Sequence, residues 1–113
     1  MEEKQGIGSE GWVRVCDAKS VSDGESAPFD HAGKKIMVAR CAGNLYAADR
    51  ICTHAYADLT SGFMNEDACT LTCPLHLSAF QLSDGVPQNP PATAALKTYT
   101  VKIQDGAIYV KLD

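Results

Sequence analysis

Tyr99-Thr100-Val101-Lys102-Ile103-Gln104-Asp105-Gly106-Ala107-Ile108-Tyr109-Val110 reads as two short strands joined by a tight turn. Tyr99, Val101 and Ile103 alternate with polar neighbours, Asp105-Gly106 offers the positive φ that a two-residue hairpin turn requires, and Ile108 and Val110 alternate on the return. The same grammar extends upstream. Ile36 to Arg40 and Leu45 to Ala48 form a second hairpin around Ala42-Gly43-Asn44, and Trp12 to Cys16 reads as a first strand. Trp12 is expected to anchor the core early. Apolar residues come in short runs separated by turn signals, and no long amphipathic helix is present. The fold class expected is all-β.

The chain has 113 residues, the size of one domain, with 45% hydrophobic and 21% charged residues. A core of that size gains from a staple such as a metal centre. The expected organisation is a tail over residues 1–10, too polar to pack, followed by one domain over 11–113. Ten basic against fourteen acidic residues give a net charge of −4, which speaks against nucleic acid and suits docking onto a basic patch of another protein. No stretch approaches the roughly 20 apolar residues of a membrane helix, and the opening Met1-Glu2-Glu3-Lys4-Gln5 lacks the apolar run of a signal peptide. A cytoplasmic protein is expected. Five cysteines in such a chain disfavour a disulfide framework and favour metal ligation or unlinked thiols.

The β pattern lapses over residues 51–76, where Cys52-Thr53-His54 and Cys73-Pro74-Leu75-His76 each place a thiolate and an imidazole within one turn. Two such turns meet face to face if the segment between them reverses, and Ser61-Gly62 or Asn65-Glu66-Asp67 can supply the reversal. Residues 83–91, Ser-Asp-Gly-Val-Pro-Gln-Asn-Pro-Pro, form a rigid proline-rich loop. A β framework thus carries a loop-built insert, with a cluster-binding part over about 48–83 and a proline loop over 84–92. Two Cys and two His suit a structural zinc ion, or an iron–sulfur centre in which two His replace two Cys on one iron. These four ligands alone leave both open.

The flanks carry more. Cys52-Thr53-His54-Ala55-Tyr56-Ala57-Asp58-Leu59-Thr60-Ser61-Gly62, then Cys73-Pro74-Leu75-His76-Leu77-Ser78-Ala79-Phe80, closely resemble the Rieske ferredoxins of bacterial aromatic-ring-hydroxylating dioxygenase systems. Leu45-Tyr46-Ala47-Ala48, Asp84-Gly85, Pro90-Pro91 and the closing hairpin resemble them too, so the likeness runs from about residue 11 to 112. It implies a small antiparallel β-sandwich or barrel-like Rieske fold holding one [2Fe–2S] cluster, with Cys52 and Cys73 on the inner iron and His54 and His76 on the outer iron near the surface. It further implies a one-electron carrier, itself no enzyme. Such a carrier takes electrons from an NAD(P)H-dependent flavin reductase and passes them to a terminal Rieske oxygenase through transient contacts. A monomer is expected.

Respiratory Rieske proteins add a loop-to-loop disulfide and a tyrosine hydroxyl; here the corresponding segments lack the cysteines and Phe80 replaces the tyrosine. Both differences imply the low end of the family's potentials, roughly −150 to 0 mV. Ser78 stands where those proteins have a serine that donates to a bridging sulfide, and a backbone cap is its other reading. Ala55 and Leu77 replace usual glycines, and Pro87, Pro90 and Pro91 resemble a loop that covers the cluster. Cys16, Cys41 and Cys69 are expected to be core or incidental thiols, and His31 a solvated loop residue. A nitrite reductase small subunit and a zinc-stabilised interaction module are the alternative readings. The first often lacks some ligands, whereas all four are present here.

Overall fold

The computed structural model describes residues 11–53, 56–75 and 77–112. The expected tail over 1–10 lies outside them, as do His54, Ala55 and His76. Among the described residues, nine strands form two antiparallel sheets: β1 Trp12–Asp17, β2 Ser26–His31, β3 Lys34–Cys41, β4 Asn44–Asp49, β5 Phe63–Asn65, β6 Thr70–Thr72, β7 Ala79–Gln81, β8 Thr98–Gln104 and β9 Ala107–Lys111. The large sheet runs β1-β9-β8-β4-β3-β2 and the small one β5-β6-β7. The large sheet's two edge strands are consecutive in sequence, and residues 18–25 connect them. That connection bends the sheet round towards closure. Arg40 holds it in place, donating from Nε to the Val21 carbonyl (2.6 Å) and from a terminal nitrogen to the Ala18 carbonyl (2.9 Å).

Local chemistry makes the hairpins. Ala42-Gly43 and Asp105-Gly106 adopt two successive positive φ angles, 53° and 83°, then 52° and 75°, the twist-matched turn that brings strands directly back. A third hairpin, β2–β3, turns on Ala32-Gly33 in the same way (52° and 82°). It is absent from the sequence reading because Pro28 interrupts the apolar pattern. Proline is tolerated there since β2 is an edge strand. His31 is therefore a strand residue paired with Lys34, and not part of a loop. Trp12 also departs from expectation. It is only half-buried, with the Lys102 ammonium 4.2 Å from its ring centroid, while Val13 turns inward.

β3 is apolar on both faces because it serves two cores. Val38 packs with Val21, Ala47, Ile108 and Val110 inside the curved sheet. Met37, Ala39 and Cys41, on its other face, pack with Cys52, Leu59, Leu71, Cys73, Phe80 and Leu82 of the small-sheet lobe. Phe80 is fully buried at that junction.

One expectation about cysteine is overturned. Cys41 and Cys69 are joined in a disulfide, with Cα atoms 5.8 Å apart and a sequence separation of 28. The bridge crosses from the end of β3 to the β5–β6 turn, a contact between sheets that no local spacing reveals. Cys16, Cys52 and Cys73 are not disulfide-bonded, so the odd cysteine count divides into one bridge and three others.

Gly62 lies where the lobe is tightest. A Cβ there would collide with the Thr72 carbonyl oxygen, immediately before Cys73. Gly62→Ala is expected to cost about 1–3 kcal/mol through overpacking, read as a lowered denaturant midpoint with an unchanged slope.

Candidate metal centre

The segments carrying the two cysteines are built alike. Ile51 pairs with Asp58 and Thr72 with Ala79, so each loop starts and ends on an antiparallel pair, with its cysteine directly after the first partner. The Cys52 N–H donates to the Ala57 carbonyl (2.8 Å), and the Tyr56 N–H donates to the Cys52 carbonyl (3.1 Å). The Cys73 N–H donates to the Ser78 carbonyl (2.8 Å), and the Leu77 N–H to the Cys73 carbonyl (3.1 Å). Tyr56 and Leu77 both take positive φ, 57° and 63°. The Leu77 angle explains why glycine suits that position elsewhere. Both cysteines are buried in one apolar cluster.

Among the described residues of these loops, large hydrophobic side chains face water: Tyr56 is 82% exposed, Leu75 62% and Leu77 59%. Inside, two buried cysteines enclosed by matched backbone turns form a suitable donor pair for a soft, thiolate-seeking metal centre. His54 and His76 lie within the same two loops by sequence, and their placement falls outside the described residues.

A third segment ties the loops together. The Thr53 hydroxyl donates to the Ala94 carbonyl (2.8 Å), pinning the first loop. Asn89 pins the second: its amide nitrogen donates to the Leu77 carbonyl (3.1 Å), and its amide oxygen accepts from the Ala79 N–H (2.8 Å). The Ala92 N–H donates to Ser78 Oγ (3.0 Å), and Ser78 is fully buried. Ser78 thus caps a backbone group as an acceptor, which leaves its own proton for a further partner. Pro90-Pro91, a cis peptide, lies in this strap.

Sequence reasoning did not single out Arg50, two residues before Cys52. It is 8% exposed. Its guanidinium donates to Asp30 (2.5 Å), to the Phe29 and Ile36 carbonyls (3.0 and 3.2 Å) and, through Nε, to Asp58 (3.1 Å). Asp58 also accepts from the Thr60 N–H (2.9 Å) and hydroxyl (2.6 Å), capping the turn over Leu59–Ser61. Arg50 therefore fastens the first loop to β2 and β3. The signal was an arginine two residues before Cys52, but its partners are distant in sequence.

A comparison with known proteins settles the kind of site. A Rieske [2Fe–2S] domain model matches residues 11–100. This chain belongs to the Rieske [2Fe–2S] family. The Rieske chain is 35% identical over 96 residues to the 3-phenylpropionate/cinnamic acid dioxygenase ferredoxin subunit of Photorhabdus laumondii, covering 85% of this chain and 90% of that one. It superposes on the ferredoxin of carbazole 1,9a-dioxygenase from Nocardioides aromaticivorans with a TM-score of 0.86 at 29% identity, covering 90% and 98%. A complex of reduced oxygenase and oxidised ferredoxin in carbazole 1,9a-dioxygenase contains a chain that matches with a TM-score of 0.84 at 30% identity, covering 91% and 94%. The cofactor of this Rieske fold is a [2Fe–2S] cluster, and the two matched cysteine loops fit it.

Removing Arg50 would strand two carboxylates and two carbonyls. Arg50→Met is expected to cost about 2–4 kcal/mol, below the full penalty for a buried pair because Asp30 and Asp58 keep solvent contact. A shared pH signature follows. The Arg50 hydrogen bond holds the Asp30 carboxyl below its ordinary value. Burial pushes Asp58 up, but its bonds from Thr60 and Arg50 outweigh this and hold it low. Lowered folded-state values mean stability that is present above the unfolded carboxylate pKa of about 4 and lost as pH falls through the folded values. Acid titration of thermal stability should show a smaller loss in Arg50→Met than in the parent below that pH.

Proposed function

We propose that the chain is the ferredoxin component of an aromatic-ring-hydroxylating dioxygenase system, carrying one electron at a time from an NAD(P)H-dependent flavin reductase to a terminal Rieske oxygenase. Residues 11–113 act as one unit in this reading, with the cluster-binding part over about 48–83 and the proline loop over 84–92. Cys52 and Cys73 would hold one iron as thiolates, and His54 and His76 the other as imidazoles. Bound there, the cluster supplies reversible one-electron chemistry, at a potential raised because neutral imidazoles replace two anionic thiolates.

The observation that carries the reading is the doubled cysteine loop with its apolar rim. The backbone bonds closing each loop keep both cysteines inward, while Tyr56, Leu75 and Leu77, close to the two histidines in sequence, present a water-exposed apolar edge. Such an edge suits brief contact with a partner, since a small interface also releases. That a relative is found complexed with its oxygenase supports the oxygenase as the acceptor. The dioxygenase ferredoxins, themselves electron-transfer components, support a carrier over a catalyst. Among the described residues no helix is long and apolar enough to cross a membrane. A monomer working in the cytoplasm is the corresponding setting.

The purified protein should contain two irons and two sulfides per chain and give a rhombic EPR signal on reduction; one zinc and no colour would reject the reading. Mixed with NADH, a flavin reductase and an aromatic-ring oxygenase, it should restore product formation that either enzyme alone lacks. Leu75→Ser should raise the carrier concentration needed for half-maximal rate by about tenfold, the effect of truncating a contact worth about 1.4 kcal/mol, with the potential unchanged.

Ser78 would aim its remaining proton at a cluster sulfide and so stabilise the reduced, more negative state. Ser78→Ala should then lower the midpoint potential by tens of millivolts. An unchanged voltammogram would restrict Ser78 to its cap on Ala92.

A further inference from the structure

The Cys41–Cys69 bridge belongs to neither ligand loop, and its two ends differ. Cys41 is fully buried at the end of β3. Cys69 is half-buried in the β5–β6 turn, so its sulfur is the end that a dissolved thiol reaches. The turn keeps hydrogen bonds of its own within the small-sheet lobe, and its Glu66 side chain also lies against Gly24 in the β1–β2 connection. Gln81 Nε2 donates to the Ala68 carbonyl (3.1 Å), the Leu82 N–H to the Cys69 carbonyl (3.0 Å), and Asn65 Oδ1 accepts from the N–H groups of Asp67 and Ala68 (3.0 and 3.2 Å). Opening the sulfur bond thus leaves the hairpin its shape and replaces its covalent link to the large sheet by packing contacts alone, Glu66 on Gly24 and Cys69 on the β3 core. The dithiol state is provided for as well. The Glu66 carbonyl oxygen lies 3.3 Å from Cys41 Sγ and 3.7 Å from Cys69 Sγ, and its two lone pairs can accept from both thiols.

We propose that Cys41 and Cys69 form a second redox site, separate from the iron–sulfur ligands, that interchanges between disulfide and dithiol with small thiols of the glutathione class and sets how firmly the ligand-bearing lobe is held. In the reducing direction a thiolate attacks Cys69 Sγ, the Cys41–Cys69 bond breaks, and Cys41 leaves as a thiolate that takes up a proton. A second small thiol then attacks the mixed disulfide and frees Cys69. Two small thiols become one small disulfide, and two electrons and two protons pass to the pair; oxidation is the reverse. The ring closed by the bridge includes Cys52, and Cys73 follows just beyond it. The closed bond therefore limits how far both ligand loops can move from β3. This consequence for the cluster rests on the function proposed above, whereas the thiol exchange does not.

The test uses the full, cluster-loaded protein, incubated with oxidised or with reduced glutathione, then unfolded in acid, alkylated and mapped by mass. Oxidised samples should show Cys41 and Cys69 peptides linked and unalkylated, and reduced samples should show both alkylated, with Cys16 as the reference thiol. Linkage under both conditions, or alkylation under both, overturns the exchange. Bleaching of visible absorbance by an iron chelator should be roughly tenfold faster in the dithiol form, and equally fast in a Cys41→Ser/Cys69→Ser variant whatever the glutathione state. Equal rates in the two forms of the parent overturn the link to lobe mobility. Normal exchange in a protein lacking visible absorbance would count against the iron–sulfur reading and support the thiol site.

Discussion

Both cysteine loops depend on one constraint: a cysteine N–H reaches the carbonyl five residues on, while the N–H four residues on reaches back to the cysteine carbonyl. Satisfying those groups internally lets the backbone turn back on itself at the edge of a buried core. It also dictates a left-handed residue at Tyr56 and at Leu77. Everything else about the lobe positions these two turns. The small sheet supplies the second, the Ile51–Asp58 pair closes the first, and the packing of Phe80 against the β3 face sets both against the framework.

Arg50 shows how a charge can be buried usefully in such a small protein. Its cost of desolvation is offset by two carboxylates and two carbonyls converging from three separate segments. Because those partners lie on β2, on β3 and in the first loop, the guanidinium specifies one arrangement of loop on sheet. Apolar packing alone would permit sliding.

Much of this was legible in the chain. The C-terminal and β3–β4 hairpins follow from alternation and from Asp105-Gly106 and Ala42-Gly43, which are local signals. The two Cys–His pairs and their flanks announce the family. What escaped was non-local or masked by one residue. Pro28 concealed β2, although the Ala-Gly pair at 32–33 repeats the one at 42–43 and marked the turn. The Cys41–Cys69 bond and the Arg50 cluster join residues far apart in sequence, and no spacing rule reaches across two sheets. Ser78's dual chemistry was legible as a choice, and the Ala92 N–H accounts for one half of it.

The strap over residues 89–94 has a kinetic consequence. It grips the first loop through Thr53 and the second through Asn89 and Ser78, so neither can swing independently of the other. Electron exchange is quick when nuclei need not rearrange. For a centre held by the two loops, as proposed, a crosspiece of three hydrogen-bonding side chains would limit that rearrangement without any covalent tie between the loops themselves.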